Sequence, residues 1–142
     1  MSERPSRAQA AWRWILVLFY GFAGAAHLLN PHPFMRITPQ WVPLPGLVIA
    51  LTGLAELAGA AGLAQRWSLP LRRAAGWGLG SYAVCVYPAN INHMLIDLAR
   101  ADGGLGLGYH LPRLVAQPVI VWLALWVSGV TAWPFARRRA ER

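Results

Sequence analysis

Residues 46–65 read GLVIALTGLAELAGAAGLAQ, twenty positions in which Glu56 is the one charged side chain. A helix rises about 1.5 Å per residue, so such a run crosses the ~30 Å hydrocarbon core of a bilayer. Glu56 stands ten residues in, about 15 Å deep, where a charged carboxylate costs at least ~2.5 kcal/mol. It must therefore face the interior of a bundle rather than lipid. Three further apolar runs of similar length, about 12–29, 74–96 and 114–133, accompany it, and Arg13 is the only other full charge in the four. Arg13 sits one residue inside its run, from which it is expected to snorkel to the interface. The pattern predicts an all-α fold, a four-transmembrane-helix bundle forming a single membrane domain over residues 1–142.

Composition and charge agree with that reading. The chain is 56% apolar and 13% charged, against ~25% charged in soluble domains, which excludes a disordered chain, a disulfide scaffold and an ordinary soluble domain. All 13 basic residues are arginine, against five acids. Arg4, Arg7 and Arg13 lie in or before the first run, Arg66, Arg72 and Arg73 follow the second, and Arg137, Arg138, Arg139 and Arg142 close the chain. Only Arg36, Arg100 and Arg113 fall on the other side. The positive-inside rule then places both termini in the cytoplasm. The net charge of +8 reads as a topology signal with attraction to the lipid bilayer, not as a footprint for nucleic acid. A cleaved leader ending at Ala23-Gly24-Ala25 is the competing reading, but apolar residues continue to Leu29 and cleavage would leave three spans.

Between the first two runs, Pro31, Pro33, Pro39, Pro43 and Pro45 alternate with Phe34, Ile37 and Trp41. Proline density opposes a regular helix, and the expectation is an ordered Pro-rich first outer loop on the mouth of the bundle. A plain interfacial loop anchored by Trp41 is the alternative. The second outer loop, 101–108, is glycine-rich and expected to be mobile. Gly76 and Gly80, Gly21 and Ala25, and Ala55 and Gly59 are small-xxx-small pairs suited to close helix packing within the bundle, or to a homo-oligomer through Gly76 and Gly80.

The polar residues converge at the outer end. His27 and His93 lie about three residues below that surface; Asn90, His93 and Asp97 share one helix face, as do Arg113 and Gln117. Pro88 is expected to interrupt the third helix and free a carbonyl beside Asn90. The resulting picture is an outward-open polar pocket formed by His27, Asn90, His93, Arg113 and Gln117, with Trp41 as a further binding residue and Glu56 at the floor as the catalytic, proton-relaying group. Each has a plainer explanation: interfacial hydrogen bonding for the histidines, snorkelling for Arg113, packing through a neutral Glu56. Cys85 is the only cysteine, read as a small apolar filler that excludes CxxC chemistry, and no GxGxxG, Walker or HExxH pattern occurs. No metal ligands are assigned. A haem between His27 and His93 is the weaker cofactor reading.

These residues carry a resemblance. Gly24, His27, Pro31, Phe34, Ile37-Thr38-Pro39 and Trp41-Val42-Pro43, then Gly53-Leu54-Ala55-Glu56 with Gly59 and Gly62-Leu63, then Tyr87-Pro88-Ala89-Asn90-Ile91, then Arg113, Gln117 and Trp122, look like the bacterial DoxX-like family of integral membrane proteins. The likeness covers about residues 17–125; Val115 stands where the family commonly has proline. It implies a four-helix protein of a bacterial cytoplasmic (inner) membrane. The family's name derives from a subunit of thiosulfate:quinone oxidoreduction, so it also implies a quinone as cofactor and a redox partner protein. The leading expectation is a small accessory subunit, with His27, Asn90 and Arg113 bonding a quinone-like molecule. No secure redox-centre ligand set is present, which favours a non-autonomous subunit over a complete enzyme. A membrane scaffold, and a small-solute or proton transporter using Glu56, are the alternatives.

Overall fold

The computed structural model describes residues 6–134 and is all-helical among them. The chain runs α1 (Arg7–Leu29), α2 (His32–Ile37), α3 (Pro45–Ala64), α4 (Leu69–Cys85), α5 (Tyr87–Leu98) and α6 (Gly106–Ser128). Arg4, Arg137, Arg138, Arg139 and Arg142, used above for orientation, lie outside the described residues. Among the described residues three helices, α1, α3 and α6, are long and apolar enough to cross a membrane.

The expected third run is not one helix. It divides at Val86 into α4 of 17 residues and α5 of 12, with Pro88 in the first turn of α5. A proline there has no N–H to give the preceding turn, and its ring disfavours helical geometry just before it. The expected fourth run also shifts: α6 begins at Gly106 rather than near 114 and continues through Pro112 and Pro118. The Pro-rich loop holds a helix after all. Pro33 occupies the first turn of α2, where a missing N–H is an orphan in any case.

Packing is antiparallel. α1 lies mainly on α3, α4 on α6 and α3, and α5 on α6. Leu16, Tyr20, Ala60, Leu63, Leu79, Leu123, Ala124, Trp126 and Val127 form one apolar core. Leu18, Phe22, Leu51, Leu54, Val84 and Val115 point outward, while Glu56, Asn90, His110 and Gln117 are buried. That inversion of the soluble pattern suits a lipid exterior.

Close approaches are set by glycines. A Cβ on Gly76 would collide with Ser128 and Ala124, and one on Gly80 would touch Leu125 and Val121. Both glycines of the GxxxG thus face α6 of the same chain, as expected for packing within the bundle. Gly21 touches nothing on that side, so it makes no small-residue contact. Cys85 is exposed, not a core filler.

At the end where α6 stops, Gln9 donates to Trp126 O at 2.7 Å, Arg72 to Ser128 O at 3.4 Å and Arg73 to Gly129 O at 2.9 Å. These donors meet the negative end of the α6 dipole. Arg13, four residues beyond Gln9, is 6% exposed, with Nε lacking an acceptor, so it is packed within the bundle.

Candidate functional site

The expected polar residues separate into two clusters. The first joins α1 to α3. Gly24 lies against Gly53 so closely that a Cβ on it would stand 2.7 Å from Gly53 O and 3.1 Å from Glu56 Cβ; a Cβ on Gly53 would stand 2.9 Å from His27 Cβ. Each glycine makes room for the polar residue of the opposite helix. His27 and Glu56 meet there, with Nδ1 to Oε2 at 2.7 Å. Nδ1 is also 2.9 Å from Ala23 O. A carbonyl can only accept, so Nδ1 carries the hydrogen and shares it between both oxygens.

Glu56 is 3% exposed. The Tyr82 side chain of α4 interacts with both Glu56 and Thr52, and Tyr20 stands edge-on to Tyr82 at 6.3 Å. The Tyr20 hydroxyl is buried without a hydrogen-bond partner. Over the pair, the Phe34 ring of α2 lies 3.9 Å from the His27 ring, and α2 is pinned by Asn92 donating to Ile37 O at 2.9 Å. Beside Tyr82, an apolar groove of about 320 Å³ opens between α3 and α4, lined by Ala55, Ala58, Gly59, Gly62, Ala75 and Leu79 among others.

The second cluster joins α5 to α6. Arg113 Nη1 donates to His93 Nδ1 at 2.9 Å, rather than snorkelling. Guanidinium is donor only, so this nitrogen of His93 is bare. The guanidinium also sits over the Tyr109 ring, 5.8 Å from its centre. Asp97 lies 3.6 Å from His93 Nε2 and 3.0 Å from His110 Nε2. Its Oδ2 also accepts from Leu105 N at 3.0 Å. That backbone N–H first, and the His110 bond second, hold the Asp97 carboxyl below the ordinary carboxylate range.

The glycine-rich loop has a defined conformation. Gly103, Gly104 and Gly106 take positive φ, and a Cβ on Gly104 would strike the Asp97 carboxylate. The loop is folded onto Asp97, with Arg100 bidentate on Asp102 at 2.7 and 2.8 Å. Those contacts, and Gly104 N on Asp102, also lower the Asp102 carboxyl.

The remaining expected residues stand apart. Gln117 donates to Ala83 O at 2.8 Å; Ala83 lies three residues before the break at Val86 and about two turns before Asn90. Asn90 is buried in the first turn of α5. Trp41 is 73% exposed, on a separate groove of about 220 Å³ with Pro39, Pro88, Ile91, Asn92 and Leu95. The residues expected around one outward pocket thus fall into two paired clusters, His27 with Glu56 and His93 with Arg113. His110, Tyr20 and Tyr82 were missed. A helix start placed at 114 left His110 outside the helix, and Tyr20 and Tyr82 lie inside apolar runs with no local motif to mark them.

No curated protein and no solved structure matches this chain. The family described as Domain of unknown function (DUF8561) matches residues 16–128, and the chain belongs to that family.

Proposed function

We propose that this chain is an accessory subunit of a bacterial cytoplasmic membrane that binds a quinone-like lipophilic molecule at the His27–Glu56 pair. In this proposal it crosses the membrane four times, with α4 and α5 as one interrupted crossing and both termini in the cytoplasm. The likeness to DoxX-like proteins and the link to a redox partner belong to the same proposal.

The supporting observation is a buried carboxylate–imidazole pair at 2.7 Å, beside a buried tyrosine hydroxyl with no partner. A buried polar atom left unsatisfied costs about 1–3 kcal/mol, which a ligand oxygen would recover. The groove lined by Tyr82 and small residues offers the apolar portion of such a molecule an approach from lipid. This differs from the outward-open route in where the volume lies. Glu56 and His27 would exchange a proton with the bound oxygen, and Tyr82 would position it.

The test is equilibrium binding of a short-chain benzoquinone to the detergent-purified chain by calorimetry. Glu56→Gln and Tyr20→Phe are expected to weaken binding about tenfold each, the loss of roughly one hydrogen bond to a charged or polar partner. A native chain that binds no quinone, or a Glu56→Gln variant that binds it equally well, overturns the proposal.

A further inference from the structure

His93, Asp97 and His110 present one ligand atom each, all within 4.8 Å of one another. They come from two helices: His93 and Asp97 are one turn apart on α5, and His110 lies in the second turn of α6. A tetrahedral cation bound at ~2.0–2.1 Å separates its ligand atoms by about 3.3 Å. Two of the three separations, 3.0 and 3.6 Å, already bracket that value. Two imidazoles and a carboxylate are a donor set for a borderline first-row cation, with a fourth position left to water. We propose that His93, Asp97 and His110 form a binding site for a late first-row divalent cation such as Zn²⁺, gated by Arg113.

The surroundings are built for this set. Leu105 N–H holds Asp97 Oδ2, and the close fit of Gly104 seats the loop on the same carboxylate; such outer contacts orient a ligating group. His110 is 1% exposed, and its Nδ1 has no hydrogen-bond partner. Nothing on that side of the ring fixes a tautomer, so its proton can reside on Nδ1 while Nε2 offers its lone pair to a cation. His93 is different. Arg113 holds its Nδ1 as an acceptor, which keeps the proton on Nε2, the atom a cation needs. Binding therefore requires the His93 proton to move to Nδ1 and Arg113 to leave it. The Tyr109 face, already beneath the guanidinium, gives Arg113 another seat. Both histidines change tautomer, and no net proton is released. Of the other charges nearby, Arg100 is neutralised by Asp102, leaving Arg113 as the cation that opposes a second positive charge.

The test uses the full chain purified on a tag without histidine, in a Cys85→Ser background, stripped with chelator and titrated with Co²⁺. Visible d–d absorption reports tetrahedral coordination. One saturable equivalent is expected, competed by Zn²⁺. His93→Ala and Asp97→Asn are each expected to weaken it about a hundredfold by removing a ligand. Arg113→Gln is expected to tighten it about tenfold by relieving repulsion and freeing His93. Helical circular dichroism checks that each variant remains folded, and Asp97→Asn keeps the side-chain shape. Absence of a saturable equivalent in the native chain, or one unchanged by both ligand substitutions, overturns the site and leaves the cluster as a hydrogen-bonded latch between α5 and α6.

Discussion

A methyl group distinguishes three glycines that look alike in the sequence. On Gly24 it would meet Gly53 O at 2.7 Å, and on Gly53 it would meet His27 Cβ at 2.9 Å; on Gly21 it would meet nothing within 4 Å. Gly24→Ala and Gly53→Ala should therefore each cost about 1–3 kcal/mol through forced separation of α1 and α3. Gly21→Ala should be neutral or stabilise by up to ~1 kcal/mol through helix propensity. Thermal unfolding in mild detergent, followed by circular dichroism, checks the ordering; equal effects at positions 21 and 24 would remove the close approach as the cause. The two halves of this contact were visible in the sequence, His27 three residues after Gly24 and Glu56 three after Gly53. Their reciprocal seating was not, because spacing along one helix does not say which helix lies opposite.

The loop between α5 and α6 should respond to acid. Asp97 and Asp102 both have lowered pKa values in the fold, the first through Leu105 N–H, the second through Arg100. A lowered carboxyl stabilises the folded loop fully above its unfolded pKa, near 4, and loses that contribution as pH falls through its folded value. The Leu105 and Gly104 amides are thus expected to stay protected from hydrogen exchange at neutral pH and to lose protection below about pH 4. Protection unchanged at pH 2, or already lost at pH 6, would contradict the carboxylate fastening. The sequence read this loop as mobile from its glycines alone. Their left-handed conformations and the closeness of Gly104 to Asp97 show what composition left out: the same glycines permit a tight fold. His110 was lost for a related reason. Pro112 marks a helix boundary on local grounds, yet α6 carries it inside, and only tertiary packing against α5 decides that.

At the scale of the whole molecule, the apolar runs were legible because lipid and length impose a coarse constraint that single residues cannot blur. The break at Val86 was partly legible from Pro88; the division into two helices, each shorter than a crossing, was not. α4 and α5 span about 25 and 18 Å separately, and joined they suffice for one passage. The proposed four crossings would place the 99–105 loop on the same side as Trp41 and opposite Trp67. Single cysteines at Trp41, Trp67 and Asp102, in a Cys85→Ser background, test this with a membrane-impermeant maleimide on intact cells. Labelling at 41 and 102, with 67 protected until the membrane is opened, is expected; protection at 102 would leave three crossings.

The shortness of the His27–Glu56 contact has an electrical consequence. A full elementary charge crossing the membrane exchanges ~2.3 kcal/mol per 100 mV. A proton passing between Nδ1 and Oε2 moves no more than 2.7 Å, about a tenth of a ~30 Å core, and so feels at most ~0.2 kcal/mol per 100 mV. That is below thermal energy. Membrane voltage therefore exerts almost no bias on which partner holds the shared proton, and any signal that changes its position has to arrive by direct contact, through Tyr82 or the Phe34 ring.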